Sequence, residues 1–109
     1  MEFNLAEKLG ILKAIDEVIR VDDRVYDEES LFIAQLSRAI SFDRALFDQA
    51  RAIEFQEAMA ILKAMSPKKK DTLATFLNQA ANADGKVQEG ELRTIYRIFH
   101  EAGVDFDKL

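Results

Sequence analysis

The chain has 109 residues, 49% of them hydrophobic, enough for one domain built around one continuous core. Its 15 Lys and Arg against 20 Asp and Glu leave a formal net charge of −5, so it lacks the basic excess that binding to a phosphate backbone requires, and no nucleic acid partner is expected. The lack of cysteine removes disulfides, thiolate metal sites and thiol nucleophiles together, which accords with a reducing, cytoplasmic setting.

The first ten residues, "MEFNLAEKLG", mix acids into the apolar positions and have neither the basic nor the apolar region of a signal peptide. No window approaches the roughly 18 uninterrupted apolar residues of a membrane span, so a protein that does not cross a membrane is expected. Leu5, Leu9, Leu12, Ile15 and Ile19 recur at three- and four-residue steps and predict a first helix with one apolar stripe, ending near Arg20. Leu31 or Phe32, then Ile33, Leu36 and Ile40, predict a second helix. The run of Leu46, Phe47, Ile53, Phe55, Met59, Ile61, Leu62 and Met65 predicts two shorter helices with a break around Ala52 to Glu54. "MSPKKKD" then places a good N-cap, Ser66, before a proline suited to the first helical position, where its missing N–H is not needed. The helix that starts there carries Leu73, Phe76, Leu77, Ala80 and Ala81 inward, and after an Asp84-Gly85 turn a last helix presents Leu92, Ile95, Ile98 and Phe99. Four glycines, one proline and no alternating β-branched run argue against any strand.

Comparing the chain with itself reveals a degenerate repeat. A shift of 62 positions lays Val21-Asp22-Asp23-Arg24-Val25 on Ala83-Asp84-Gly85-Lys86-Val87, Asp27 on Glu89, Glu29 on Glu91, Ile33 on Ile95 and Leu36 on Ile98. Each copy reads as a helix, a turn built on Asp-x-basic-Val, and a helix opened by acids. Two such hairpins, roughly 8–40 and 70–102, are expected to pack about a pseudo-twofold with the middle helices between them.

At these residues the chain resembles the TerB-like family, the tellurite-resistance domain. The resemblance spans nearly the whole chain and rests on "AANADGKVQEGELRTIYRIFHEAGVD", its partner "VIRVDDRVYDEESLFIAQLSRAI", and the central "FDRALFDQA" and "AMAILKAMSP". Its most specific element is the repeated Asp-[Gly]-x-Val-x-x-x-Glu: Asp84, Gly85, Val87 and Glu91 in the second copy, Asp22, Val25 and Glu29 in the first. The first copy departs from it, carrying Asp23 where the second has Gly85. The resemblance implies an all-α bundle active in the response to tellurite and other toxic agents, with an acidic surface that meets a metal ion or a partner; it implies no catalytic chemistry.

The second turn also looks like the back half of an EF-hand, and ligand counting tests that. With Gly85 at loop position 6, Asp84 falls at 5, Asn82 at 3, Val87 at 8 and Glu91 at 12, but position 1 is Ala80. In the first copy positions 1 and 3 are Val18 and Arg20, and an arginine there opposes a cation. Neither loop is an EF-hand. Turn and cap chemistry accounts for the same residues: Gly85 closes a helix with positive φ, Asp84 bonds nearby N–H groups, Val25 and Val87 pin the turns, and Glu89 and Glu91 sit in a first helical turn, where a carboxylate gains roughly 0.3–1 kcal/mol. The competing reading is a weak divalent-ion site formed if Asp22, Asp23, Glu29, Asp84 and Glu91 converge across the pseudo-twofold.

Other candidates carry less chemistry. His100 is the sole histidine and falls in a last helical turn, where it favours the dipole, so a catalytic triad has almost no material. Lys68, Lys69 and Lys70 open a helix against its dipole; they read as a solvated face, with docking of an acidic partner as the alternative. Phe32, Phe47, Phe55, Phe76 and Phe99 read as core, and Asp43, Asp48 and Glu57 as solvent-facing. An Asp22–Asp84 acid/base pair has no accompanying nucleophile or phosphate loop. The expectation is therefore a compact all-α bundle of about five to seven helices in a single domain, 1–109, with two pseudo-twofold-related hairpins. Its expected role is a non-catalytic binding or adaptor module with protein partners and no resident cofactor; the alternatives are a weak divalent-ion sensor and, behind it, a small metal-dependent enzyme.

Overall fold

Asn4 and Glu7 start the chain's first helix as a reciprocal pair. The Asn4 Oδ1 accepts the Glu7 N–H at 2.8 Å while the Asn4 N–H donates to Glu7 Oε1 at 2.9 Å, a capping box that satisfies two otherwise unpaired groups. In the computed structural model, which describes residues 2–20, 31–83 and 89–108, six helices follow in order: α1 Leu5–Arg20, α2 Leu31–Ile40, α3 Arg44–Ala52, α4 Phe55–Lys63, α5 Pro67–Ala81 and α6 Glu89–Ala102. A 3₁₀ turn, Phe106–Lys108, ends them. No strand occurs among the described residues, and a radius of gyration of 12.4 Å matches the ~13 Å of a compact chain of ~100 residues.

The expected punctuation is present. Ser66 Oγ accepts the Lys69 N–H with Pro67 in the first turn of α5, and the break between α3 and α4 falls at Ile53 and Glu54. Asp43 is exposed and caps α3, its Oδ1 accepting the Leu46 N–H at 2.9 Å. Ser41, at φ 49°, stops α2. Gly103, at φ 70°, stops α6 in a Schellman arrangement: Val104 N–H donates to the Phe99 carbonyl and Gly103 N–H to that of His100, with Val104 buried beside Phe99.

The first helix differs from expectation. Instead of a single stripe, Ile11, Leu12, Ala14, Ile15 and Val18 are all at 0% exposure, and Lys13 and Asp16 are buried with them, whereas Leu5 stands out at 62%. A helix buried on most of its circumference is a central helix. Accordingly α3, α4, α5 and α6 all pack on α1, α4 also packs on α6, and α2 lies against α5. Gly10 serves the α1–α4 approach, since a Cβ there would come within 3.1 Å of Leu62 Cδ2 and 3.4 Å of the Ala58 carbonyl oxygen. Of the phenylalanines read as core, Phe47, Phe76 and Phe99 are buried, and Phe32 and Phe55 pack against the core from its edge.

The 62-residue shift also relates the helix limits. Displaced by it, Leu5 falls on Pro67, the first residues of α1 and α5, and Ile40 falls on Ala102, the last of α2 and α6. The N-caps Asn4 and Ser66 correspond, and so do the buried pairs Ile11 and Leu73, Ile15 and Leu77, Val18 and Ala80, Ile33 and Ile95, Leu36 and Ile98. Packing is symmetric in part: α1 on α6 answers α5 on α2, while α3 and α4 both lie on α1. The two Asp turns that carry the sequence repeat lie outside the described residues.

Candidate functional site

Of the five acids expected to form a site, Asp22, Asp23, Glu29 and Asp84 lie outside the described residues, as does Gly85. Glu91 lies in the first turn of α6 and is 0% exposed. A carboxylate this deep is rare unless it is paired, and Glu91 does have an interaction partner. It belongs to the core face of α6 with Ile95, Ile98 and Ala102, spaced at four, seven and eleven residues from it, and does not decorate a solvated first turn. Its neighbour Leu92, read from the sequence as core, is instead 39% exposed.

That rotation of α6 creates its outer surface. Leu92 and Tyr96, four residues apart on one face, stand 39% and 50% exposed, and the 3₁₀ turn lays Phe106, 48% exposed, beside Tyr96. The Tyr96 and Phe106 ring centroids are 5.6 Å apart, and Phe106 continues inward to the buried Phe99 ring at 6.4 Å. The patch is bordered by the exposed Glu89–Arg93 ion pair, Nη2 to Oε1 at 2.7 Å. It is an apolar strip anchored to the core through Phe99, with one exposed ion pair beside it. Two shallower depressions meet at Ser41: an open groove of about 660 Å³ lined by Leu5, Phe42 and Leu46 among others, and a smaller one of about 270 Å³ reaching Glu2 and Lys8.

Two charged clusters have clear electrostatic character. At the start of α5, Lys69 Nζ reaches Glu7 Oε1 at 2.8 Å and Oε2 at 3.0 Å and lies 5.7 Å from the Phe3 ring centroid. Burial pushes the Glu7 carboxyl up, but the Lys69 hydrogen bonds, the Asn4 N–H and the Lys69 charge outweigh it and hold the group below the ordinary glutamate value. The lysine run is thus only partly a solvated face: Lys68 is exposed, Lys69 is paired, and Lys70 Nζ comes within 3.4 Å of the position a Cβ would take on Gly103, at the end of α6, where a cation favours the helix dipole.

The second cluster joins α1 to α3. The Asp16 side chain, 5% exposed, lies 2.8 Å from Arg20 Nε through Oδ2 and 3.4 Å from Arg51 Nε through Oδ1. Lys13 Nζ donates to the Arg51 carbonyl at 3.0 Å and lies 3.6 Å from Glu17. Close as the charges are, Asp16 Oδ2 accepts no hydrogen bond and Arg51 Nε donates none. Burial raises the Asp16 carboxyl above the ordinary aspartate value, against the pull of Arg20, Arg51 and Lys13. Asp16 and Arg20 at i, i+4 are visible in the sequence as a helical pair; what no spacing indicated is that α3 would close over them.

Neither cluster includes a nucleophile with an adjacent base. His100 is exposed in the last turn of α6, as expected, and Asp48 and Glu57 are exposed too. Among the described residues no three His, Asp or Glu side chains gather in a way that would hold a metal ion, and no helix is long and apolar enough to cross a membrane. No protein-family model, curated protein or solved structure matches the chain.

Proposed function

We propose that the chain is a non-catalytic binding or adaptor module of the TerB-like, stress-response type, working in the cytoplasm, which meets a protein partner through α6 and the acidic Asp turns at the ends of the two hairpins. The observation that carries the reading is the Leu92, Tyr96 and Phe106 strip: three large exposed apolar side chains, two on α6 and one on the 3₁₀ turn that stacks against it. Aromatic side chains fixed on a helix lose little conformational freedom on binding, which is why they dominate protein interfaces. The repeat supports the family reading because the start of α1 and of α5, the end of α2 and of α6, the two N-caps and five buried pairs follow the 62-residue shift.

A photocrosslinking amino acid at position 96, introduced in cells, tests the module. A discrete adduct that is absent when the same group is placed at exposed position 57, and lost when Leu92 and Phe106 are replaced by serine, supports it. Equal labelling at both positions counts against it.

The alternative, weak divalent-ion binding by Asp22, Asp23, Glu29, Asp84 and Glu91, draws on the depth of Glu91, since a cation is worth most to a carboxylate removed from water. Melting with and without millimolar calcium separates the two: a ligand that binds the folded state raises the transition by mass action, and a rise removed by Glu91→Gln would favour the ion.

A further inference from the structure

The Asp16 cluster has no part in the proposed interaction surface, and its geometry is incomplete in a specific way. The carboxylate is withdrawn from water between α1 and α3, yet Oδ2 receives no hydrogen bond and the facing Arg51 Nε, also buried, gives none. The two guanidiniums beside it keep contact with solvent, at 50% exposure for Arg20 and 34% for Arg51, so water screens much of their attraction. The lysine that would be the natural partner, Lys13, places its Nζ on the Arg51 carbonyl at the end of α3. An ionised Asp16 therefore bears the cost of leaving water without full compensation, whereas a neutral carboxyl bears far less.

We propose that the α1–α3 junction is a proton-operated latch: neutral Asp16 lets α3 close on α1, and ionised Asp16 loosens it. The moving element is short, nine residues, and the Phe47 and Ala50 side chains that it buries at 1% and 0% exposure are what its loosening uncovers. Among the described residues the charged groups acting on Asp16 are Lys13, Glu17 and Arg20 on α1 and Arg51 on α3; α4, α5 and α6, which also pack on α1, supply none of them. The sign comes from the burial of a carboxylate whose Oδ2 accepts no hydrogen bond, and the upward push of burial on the Asp16 carboxyl agrees with it. A group bound more tightly to its proton in the folded state contributes stability that is fully present below its unfolded value and is lost as pH rises through the folded one. Closure is thus favoured in mild acid.

Amide hydrogen exchange on the whole protein at about pH 4 and about pH 7, corrected for intrinsic rates, reads the latch directly. The amides of α3 are expected to lose several-fold more protection than those of α5 between the two conditions, and Asp16→Asn is expected to hold α3 at its acid-level protection at both. Parallel behaviour of α3 and α5, or an unchanged pH dependence in Asp16→Asn, would overturn the proposal. Should that variant not fold, carbon NMR of the parent decides: α3 amide shifts that follow the Asp16 carboxyl titration support the latch, and α3 shifts indifferent to it sink the idea.

Discussion

Glu7 and Lys69, 62 residues apart in the chain, form an ion pair with each other, Nζ to Oε1 at 2.8 Å. Each is the third residue of its helix, so the 62-residue shift lays one on the other. Their roles differ: the acid completes a capping box with Asn4, and the base, placed against its own helix dipole, has that acid opposite.

The pair is therefore expected to lie at the upper end of what surface pairs contribute. With side chains only 26% and 11% exposed, the pair should show a coupling of about 1 kcal/mol in a double-mutant cycle of Glu7→Gln and Lys69→Met by urea unfolding. Additive single costs would reduce it to two independent contacts.

The same pair sets a pH dependence. Glu7 is held below its ordinary value, so the stability it supplies is present above the unfolded value of about 4.5 and is lost as pH falls through the lower folded one. Acid unfolding of Lys69→Met should accordingly be shallower below about pH 4.5 than that of the parent. An unchanged profile would remove Glu7 from the account.

Glu91→Gln is expected to destabilise the domain by about 2 kcal/mol or more, because the carboxylate is fully buried and its polar interaction must be rebuilt by an uncharged amide. A carboxylate merely placed in a first helical turn would cost at most about 1 kcal/mol. Thermal or denaturant melting without added metal distinguishes the two values.

At the far end of the same helix, Gly103→Ala should cost about 1 kcal/mol, since φ of 70° penalises a Cβ while the nearest atom, Lys70 Nζ at 3.4 Å, leaves the methyl room. Gly103→Asn, better tolerated in the left-handed region, should cost less. Equal losses in the two variants would mean that the left-handed backbone conformation does not decide.

Helix existence, type and limits were legible from residues 5 to 102 because they depend on local chemistry. Ser66-Pro67, the break after Ala52 and the stop near Arg20 act through neighbours a few residues away, and spacing alone reveals them. The Asn4-x-x-Glu7 box, by contrast, was not read from the sequence, since its signal lies in four residues of an otherwise irregular N-terminus. What no local signal could supply is the rotation of each helix about its axis. Hydrophobicity places Leu92 inside and Glu91 outside; the fold does the reverse, because α6 must seat Ile95, Ile98 and Ala102 against α1, α4 and α5 together, and Glu91 shares that line. The burial of α1 on most of its surface has the same origin. A one-stripe pattern assumes one packed side, and only the assembly of four helices around α1 brings Lys13 and Asp16 into the interior, where their charges acquire consequences that their spacing did not announce.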